Sequence, residues 1–368
     1  MASQMLTPVS TLKTTFDIKN NFFNSSLLPD KQDISYKTHI LTDPNLKFLC
    51  SAHEINLKGI DTSFTNHDFD CEFLLLRYIT ETKPHKDLLP KETPPLLKLN
   101  RIPLTLPYQY NAVSINKDHK SNDINLNLHN YINASYITAP FGKTFIAAEN
   151  PLPETVNNFW RLIFNHKISL IVCISYTLSE SNKTFVKYWP EDEKKPIEFK
   201  DGNNVYNIHL IEELNAYQAG IAKNMNFGNC IRRTFNITPK DNHKQVLLSI
   251  THYNLNCWED KSLPVQSMGF DLIEDLIGVV DDEFKKTNAH VLVHCSDGIG
   301  RTGTFIALYN IIKCLLVEKK NEIKEPVYNV FNVVRKLREE RFGMVSDANL
   351  YRYIYEFCKT WMKKFYDL

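Results

Sequence analysis

A strand-length apolar run, AHVLV (289–293), passes directly into HCSDGIGRTG (294–303), which holds three of the chain's 11 glycines. In so glycine-poor a chain, Gly298, Gly300 and Gly303 within six positions mark a backbone that turns tightly or lets something approach closely. Apolar residues at helical spacing follow over 302–317, so the unit reads as strand, tight loop, helix. Other segments alternate around it. ISLIVCI (168–174) is a continuous apolar run, as expected of a strand covered on both faces, and it follows a helical segment at 154–166. VLLSI (246–250) reads as a further strand. Residues 326–341 read as a helix opened by Pro326 in its first turn.

Two chemistries compete for the loop. Its glycines match G-x-G-x-x-G, the dinucleotide fingerprint, but that motif needs an acidic residue ending a second strand about 20 residues on. Here EKKNEIKEP (318–326) leads into another helix instead. The second reading explains more residues. Cys295 and Arg301 are spaced Cys-x5-Arg, with His294 before and Thr302 after. The amides of Ser296, Asp297, Gly298, Ile299, Gly300 and Arg301 can wrap a tetrahedral oxyanion at a helix N-terminus. Arg301 closes the cup with paired hydrogen bonds to phosphate oxygens. The same amides and the helix dipole are expected to lower the Cys295 pKa so that it attacks as thiolate, with Thr302 donating to the sulfur.

Composition narrows the class further. Lys plus Arg total 43 against 42 Asp plus Glu, which disfavours a nucleic-acid binder driven by phosphate neutralisation. No apolar stretch reaches the ~18 residues that cross a bilayer, and the N-terminus has no apolar signal region, so a cytoplasmic, non-membrane protein is expected. The eight cysteines include no C-x-x-C pair, which points to a reduced compartment without structural zinc or disulfides. Six prolines between Pro84 and Pro107 separate a polar N-terminal part from the patterned remainder. Just before them, DFDCEFLLLRYI (68–79) has the make-up of a short helix that docks on a core. Residues 1–64 are expected to be an extension and 65–368 a single α/β domain.

HCSDGIGRTG resembles the H-C-x-x-G-x-G-R-[ST]-G signature of the classical, cysteine-dependent protein tyrosine phosphatases. NYINASYI (130–137), KTFIAAENPLPETVNNFW (143–160), KYWP (187–190) and RFGMV (341–345) resemble further blocks of that family in the same order. The Asn- and Lys-rich composition and GKTFIA (142–147) resemble small fungal members. The resemblance implies a central, twisted, mostly parallel sheet flanked by helices. It implies hydrolysis of phosphotyrosine on proteins, protein kinases among them, through a cysteinyl-phosphate and without metal or cofactor. It leaves oligomeric state open.

Several positions depart from the family pattern. The acid loop W-P-D-x-G-V-P reads WEDKSLP (258–264): Asp260 is kept as general acid and Trp258 as part of the substrate pocket, but Glu259 and Ser262 replace Pro and Gly. The phosphotyrosine loop N-R-Y-x-D reads NRIPL (100–104), so Ile102 offers no ring face and Leu104 no acceptor for the substrate backbone. The Q-T-x-x-Q segment that positions the hydrolytic water reads SDANL (346–350), leaving Ser346 and Leu350 at the two Gln places. Glu180 matches the family's Glu that holds the signature Arg. Asp297 stands where most active members have Ala. At ~6 Å and an effective dielectric of ~20 its charge opposes a thiolate or phosphate by about 3 kcal/mol. The expectation is therefore a phosphatase with reduced activity. A pseudophosphatase that binds phosphotyrosine proteins without turnover is the alternative.

Overall fold

A computed structural model describes residues 55–56, 69–81, 93–102, 105–116, 128–175, 185–220, 230–256, 258, 263, 266–287, 289–320 and 327–366. Ten strands and seven α-helices lie among them. The strands are β1 (Ile55–Asn56), β2 (Ala134–Thr138), β3 (Thr144–Ala148), β4 (Leu170–Ile174), β5 (Ile197–Asp201), β6 (Asn204–Asn215), β7 (Cys230–Pro239), β8 (Leu248–Leu255), β9 (Val291–His294) and β10 (Val327–Tyr328). The helices are α1 (Phe69–Thr80), α2 (Pro94–Lys98), α3 (Val156–Asn165), α4 (Gln266–Lys286), α5 (Gly300–Lys320), α6 (Val330–Glu340) and α7 (Ala348–Tyr366).

Eight strands form one sheet in the order β2-β3-β9-β4-β8-β7-β6-β5. Its centre, β3-β9-β4-β8, is parallel. The hairpin partner β2 and the meander β7-β6-β5 are antiparallel to their neighbours. Period-two alternation sends the central side chains to two cores. Val291 and Val293 join Phe145, Val172 and Phe305 on one face, whereas Leu292 joins Ile146, Ile171 and Trp160 on the other. Strand β4 is buried along its whole length, as its unbroken apolar run predicts. Among the described residues no helix is long and apolar enough to cross a membrane.

The expected docking helix is α1. It buries Phe69, Phe73, Leu76 and Ile79 at helical spacing, with the Phe69 ring 5.0 Å from Tyr355 and the Phe73 ring 5.6 Å from Tyr351 of α7. The helix expected to open at Pro326 starts at Val330 instead. Residues 327–328 are drawn into an antiparallel pair with Ile55 and Asn56, so the backbone before the helix is extended. Asn329 then caps the helix, its side chain accepting from the Asn332 amide at 2.8 Å. Part of the expected extension is thus paired to the domain, and residues 1–54 lie outside the described residues.

Candidate active site

Strand β9 ends at His294 in the middle of the parallel centre and delivers Cys295 to the C-terminal edge of the sheet. Open α/β sheets bind ligands at that edge. Each glycine of the next turn answers to protein packed against it. Gly298 has φ +70°, and a Cβ there would lie 2.3 Å from the Ala148 carbonyl oxygen. A Cβ on Gly300 would meet Ser346 Oγ at 2.8 Å, and one on Gly303 the Val345 nitrogen at 2.6 Å. The close approach belongs to residues 148–149 and 344–346, which disposes of the dinucleotide reading of these glycines.

Carbonyls of the loop are held on its outer side. Asn150 N–H donates to Ser296 O at 3.1 Å. The fully buried Arg341 donates from Nη2 to Asp297 O at 3.3 Å and from Nε to Gly298 O at 2.8 Å. Val345 N–H donates to Ile299 O at 3.1 Å. Because a trans peptide sets its C=O and N–H in opposite directions, the amides of 297–300 face inward. Arg341 also donates to Asn133 Oδ1 at 2.7 Å and Ser135 Oγ at 3.1 Å, tying the loop to β2.

Cys295 is fully buried at the base of this cup, and burial pushes its thiol up. Asp297 adds to the rise, while Arg301 and Thr302 offset part of it. The sequence-based expectation of a lowered pKa is therefore reversed in the resting site. Thr302 is buried, its hydroxyl donates toward the Cys295 sulfur, and among the described residues it has no other partner. Arg301 is buried and donates from Nη1 to the Trp258 carbonyl at 3.1 Å, which joins the clamp to the start of WEDKSLP. Trp258 is itself fully buried, its ring 5.8 Å from Tyr353.

Behind the loop lies a chain of buried polar groups. His294 Nδ1 is 3.3 Å from the Cys295 carbonyl, which can only accept, so Nδ1 carries the proton. Burial lowers the His294 pKa to about 4, so its ring is neutral and Nε2 is a bare acceptor. Tyr188 then donates its hydroxyl to His294 Nε2 at 2.7 Å and accepts from His252 Nε2 at 3.1 Å. Among the described residues His252 Nδ1 has no partner, and it ends the row. Cys173, His252 and His294 bring donor atoms within 4.8 Å of one another, a spacing that could hold a metal ion. The Tyr188 hydroxyl between the two imidazoles accounts for that convergence as a hydrogen-bonded row.

On the pocket side, Asn100 is buried and accepts from Asn133 Nδ2 at 2.8 Å. Ile102 is partly exposed at the turn, where its carbonyl accepts from Thr105 N–H at 3.1 Å. Glu149 ties that turn to the loop. Both its carboxylate oxygens accept from Arg101 N–H at 3.2 Å, and its own nitrogen abuts Gly298. Burial pushes the Glu149 carboxyl up to about 8, against the pull of the Arg101 amide and Arg341. Ser346 is exposed and donates to Asp347 Oδ2 at 3.2 Å, whereas Leu350 is buried against Gly300. Asp260, Glu180, Leu104, Glu259 and Ser262 lie outside the described residues. Sequence reasoning gave no role to Asn133, Glu149 or Arg341, although all three sit in the blocks it singled out. Their importance comes from hydrogen bonds across 16 to 208 positions.

A profile described as protein-tyrosine phosphatase matches residues 97–360. Tyrosine-protein phosphatase 2 of Dictyostelium discoideum is 31% identical over 257 residues, covering 67% of this chain and 60% of that protein. Receptor-type tyrosine-protein phosphatase epsilon of Homo sapiens is 28% identical over 323 residues, covering 86% of this chain and 41% of that protein. Tyrosine-protein phosphatase non-receptor type 20 of Rattus norvegicus is 28% identical over 261 residues, 70% of this chain and 52% of that protein. The chain spans about half the length of these curated relatives. Among solved structures, the catalytic domain of human protein tyrosine phosphatase non-receptor type 18 superposes with a TM-score of 0.64 at 22% identity, covering 82% of this chain and 99% of that one, which shows the shared fold. The profile runs from α2 into α7, well over half the sequence, and the chain therefore belongs to the protein-tyrosine phosphatase family.

Proposed function

We propose that this domain hydrolyses phosphotyrosine on proteins through a cysteinyl-phosphate, with turnover below that of its relatives. The observation that carries the reading is the placement of Cys295 Sγ at the base of a loop whose amides face inward, with Arg301 and Thr302 beside it. Cys295 attacks phosphorus as its thiolate, and the bond to the tyrosyl oxygen breaks. Asp260 supplies the proton that oxygen takes. Arg301 and the amides carry the charge of the transferring phosphoryl group. Water, positioned by Ser346 at the family's Gln place, then attacks the phosphorus, the S–P bond breaks to return the Cys295 thiolate, and the ionised Asp260 takes the water's proton. Structures of PTPN18 with HER2 phosphopeptides support phosphotyrosine proteins as the substrate class. A cytoplasmic location and kinases among the substrates belong to the same proposal.

A second reading, capture without turnover, is favoured by the contact between Cys295 and Asp297 and by the apolar Leu350. Rapid-quench measurement on the purified chain with a phosphotyrosine peptide separates them. A burst followed by slow steady release supports the enzyme, and Cys295→Ser abolishes both phases. Stoichiometric binding with no released phosphate overturns it in favour of capture.

A further inference from the structure

Asp297 does more than place a charge near the sulfur. Its Oδ1 accepts the Ile299 amide at 2.9 Å and the Gly300 amide at 3.3 Å, two and three residues on. By itself that is the pattern of a helix N-cap, here at the start of α5. A third contact decides where the oxygen lies: Cys295 Sγ donates to the same Oδ1 at 3.1 Å. An atom that touches the nucleophilic sulfur and two inward-facing amides is inside the cup. The carbonyls that might have faced that space are turned outward by Asn150, Arg341 and Val345.

We infer that the Asp297 carboxylate is a resident occupant of the anion cup, standing where a phosphate oxygen sits, so that ligand binding is an exchange of carboxylate for phosphate. The phosphatase reading supplies only the identity of the incoming anion. In the resting protein Asp297 satisfies the two amides and the thiol proton. An incoming dianion must turn Asp297 outward, take over the Ile299 and Gly300 amides, and leave Cys295 without its acceptor. The apparent affinity for any tetrahedral anion is then the intrinsic affinity multiplied by the fraction of molecules with Asp297 turned out. The same contact shields the sulfur from electrophiles until an anion arrives.

Occupancy and simple charge repulsion predict different orders among two variants. Asp297→Asn removes the charge but keeps an oxygen of the same reach for the two amides. Asp297→Ala removes both. The experiment measures dissociation constants for orthovanadate and inorganic phosphate by calorimetry on the full chain, with the rate of Cys295 alkylation by iodoacetamide as a second readout. Expected is an affinity order Ala above Asn above wild type, with Ala about tenfold or more tighter than wild type and its thiol alkylated faster when no anion is present. Equal affinities for Asn and Ala would reduce the effect to charge and overturn the inference, as would three equal constants. Should Asp297→Ala fail to fold, Asp297→Ser retains a capping hydroxyl too short to bridge amides and sulfur, and must show the same tightening relative to Asn. Tight vanadate binding without any hydrolysis sinks the phosphatase reading and leaves the exchange standing. Hydrolysis with unchanged vanadate affinity in all variants does the reverse.

Discussion

Arg341 Nε donates to the Gly298 carbonyl at 2.8 Å across 43 positions of sequence, and that bond helps decide which way the 295–301 loop faces. Its guanidinium serves four acceptors at once: Asp297 O, Gly298 O, Asn133 Oδ1 and Ser135 Oγ. A lysine has a point charge and no fixed fork, so it cannot serve all four from one position. Arg341→Lys is expected to lower kcat/KM for an aryl phosphate by about tenfold or more, the loss of ~1.4 kcal/mol of orientation. It should also weaken phosphate binding. Unchanged kinetics would show that the loop holds its shape without this residue.

On the proposed reading, Ile102 puts an aliphatic wall where the family pattern has an aromatic one, at a turn that Glu149 and Thr105 hold in place. Specificity constants for a phosphotyrosine peptide and a small aryl phosphate should therefore be similar. Ile102→Tyr is expected to favour the aromatic substrates by ~0.5–1.5 kcal/mol, up to about tenfold, through ring contact. Parallel assays with an alkyl phosphate supply the reference, and an unmoved aryl-to-alkyl ratio means that other residues form the wall.

In the proposed reaction, hydrolysis of the thiophosphate depends on holding one water. Ser346 is exposed and already bonded to Asp347, and Leu350 offers no polar atom. Ser346→Gln is expected to raise the steady-state rate by about tenfold, one good hydrogen bond's worth, while the burst rate stays the same. A rise in both phases alike would place the effect at phosphorylation of the cysteine instead.

Glu149 gives the fold a pH dependence with a definite sign. Burial pushes its carboxyl up to about 8 in the native protein, against ~4.3 in the unfolded chain. The folded state therefore binds the extra proton. The stability this contributes is complete below ~4.3 and is lost as pH rises through about 8. Glu149→Gln keeps an acceptor for the Arg101 amide without the titration. Thermal unfolding from about pH 5 to about pH 9 should show the wild type losing Tm relative to the variant. Parallel curves would mean that Glu149 stays ionised throughout.

The strand, loop and helix at 289–317 were legible because a continuous apolar run, a glycine cluster and helical periodicity are all local signals. The buried strand at 170–174 and the helix at 69–80 were legible for the same reason. Pro326 misled because a proline opens helices well, yet the pairing of 327–328 with 55–56 is a contact over some 270 residues that no local pattern announces. Arg341 and Glu149 were hidden in the same way, since their partners lie far off in the sequence. Asp297 was visible as a charge in the wrong place, but its reach to the sulfur and two amides is a matter of a single rotamer.

The row from His252 through Tyr188 to His294 has one consequence for how the cysteine loses its proton. Tyr188 and His294 each have one donor and one acceptor committed, in a single sense, and the sense is set at the Cys295 carbonyl. Reversing the His294 tautomer leaves that carbonyl without its donor and turns an N–H toward the Tyr188 hydroxyl. His294 is therefore a strut and not a base: it fixes where Cys295 stands, and the thiol proton must depart on the opposite side, toward whatever anion fills the cup.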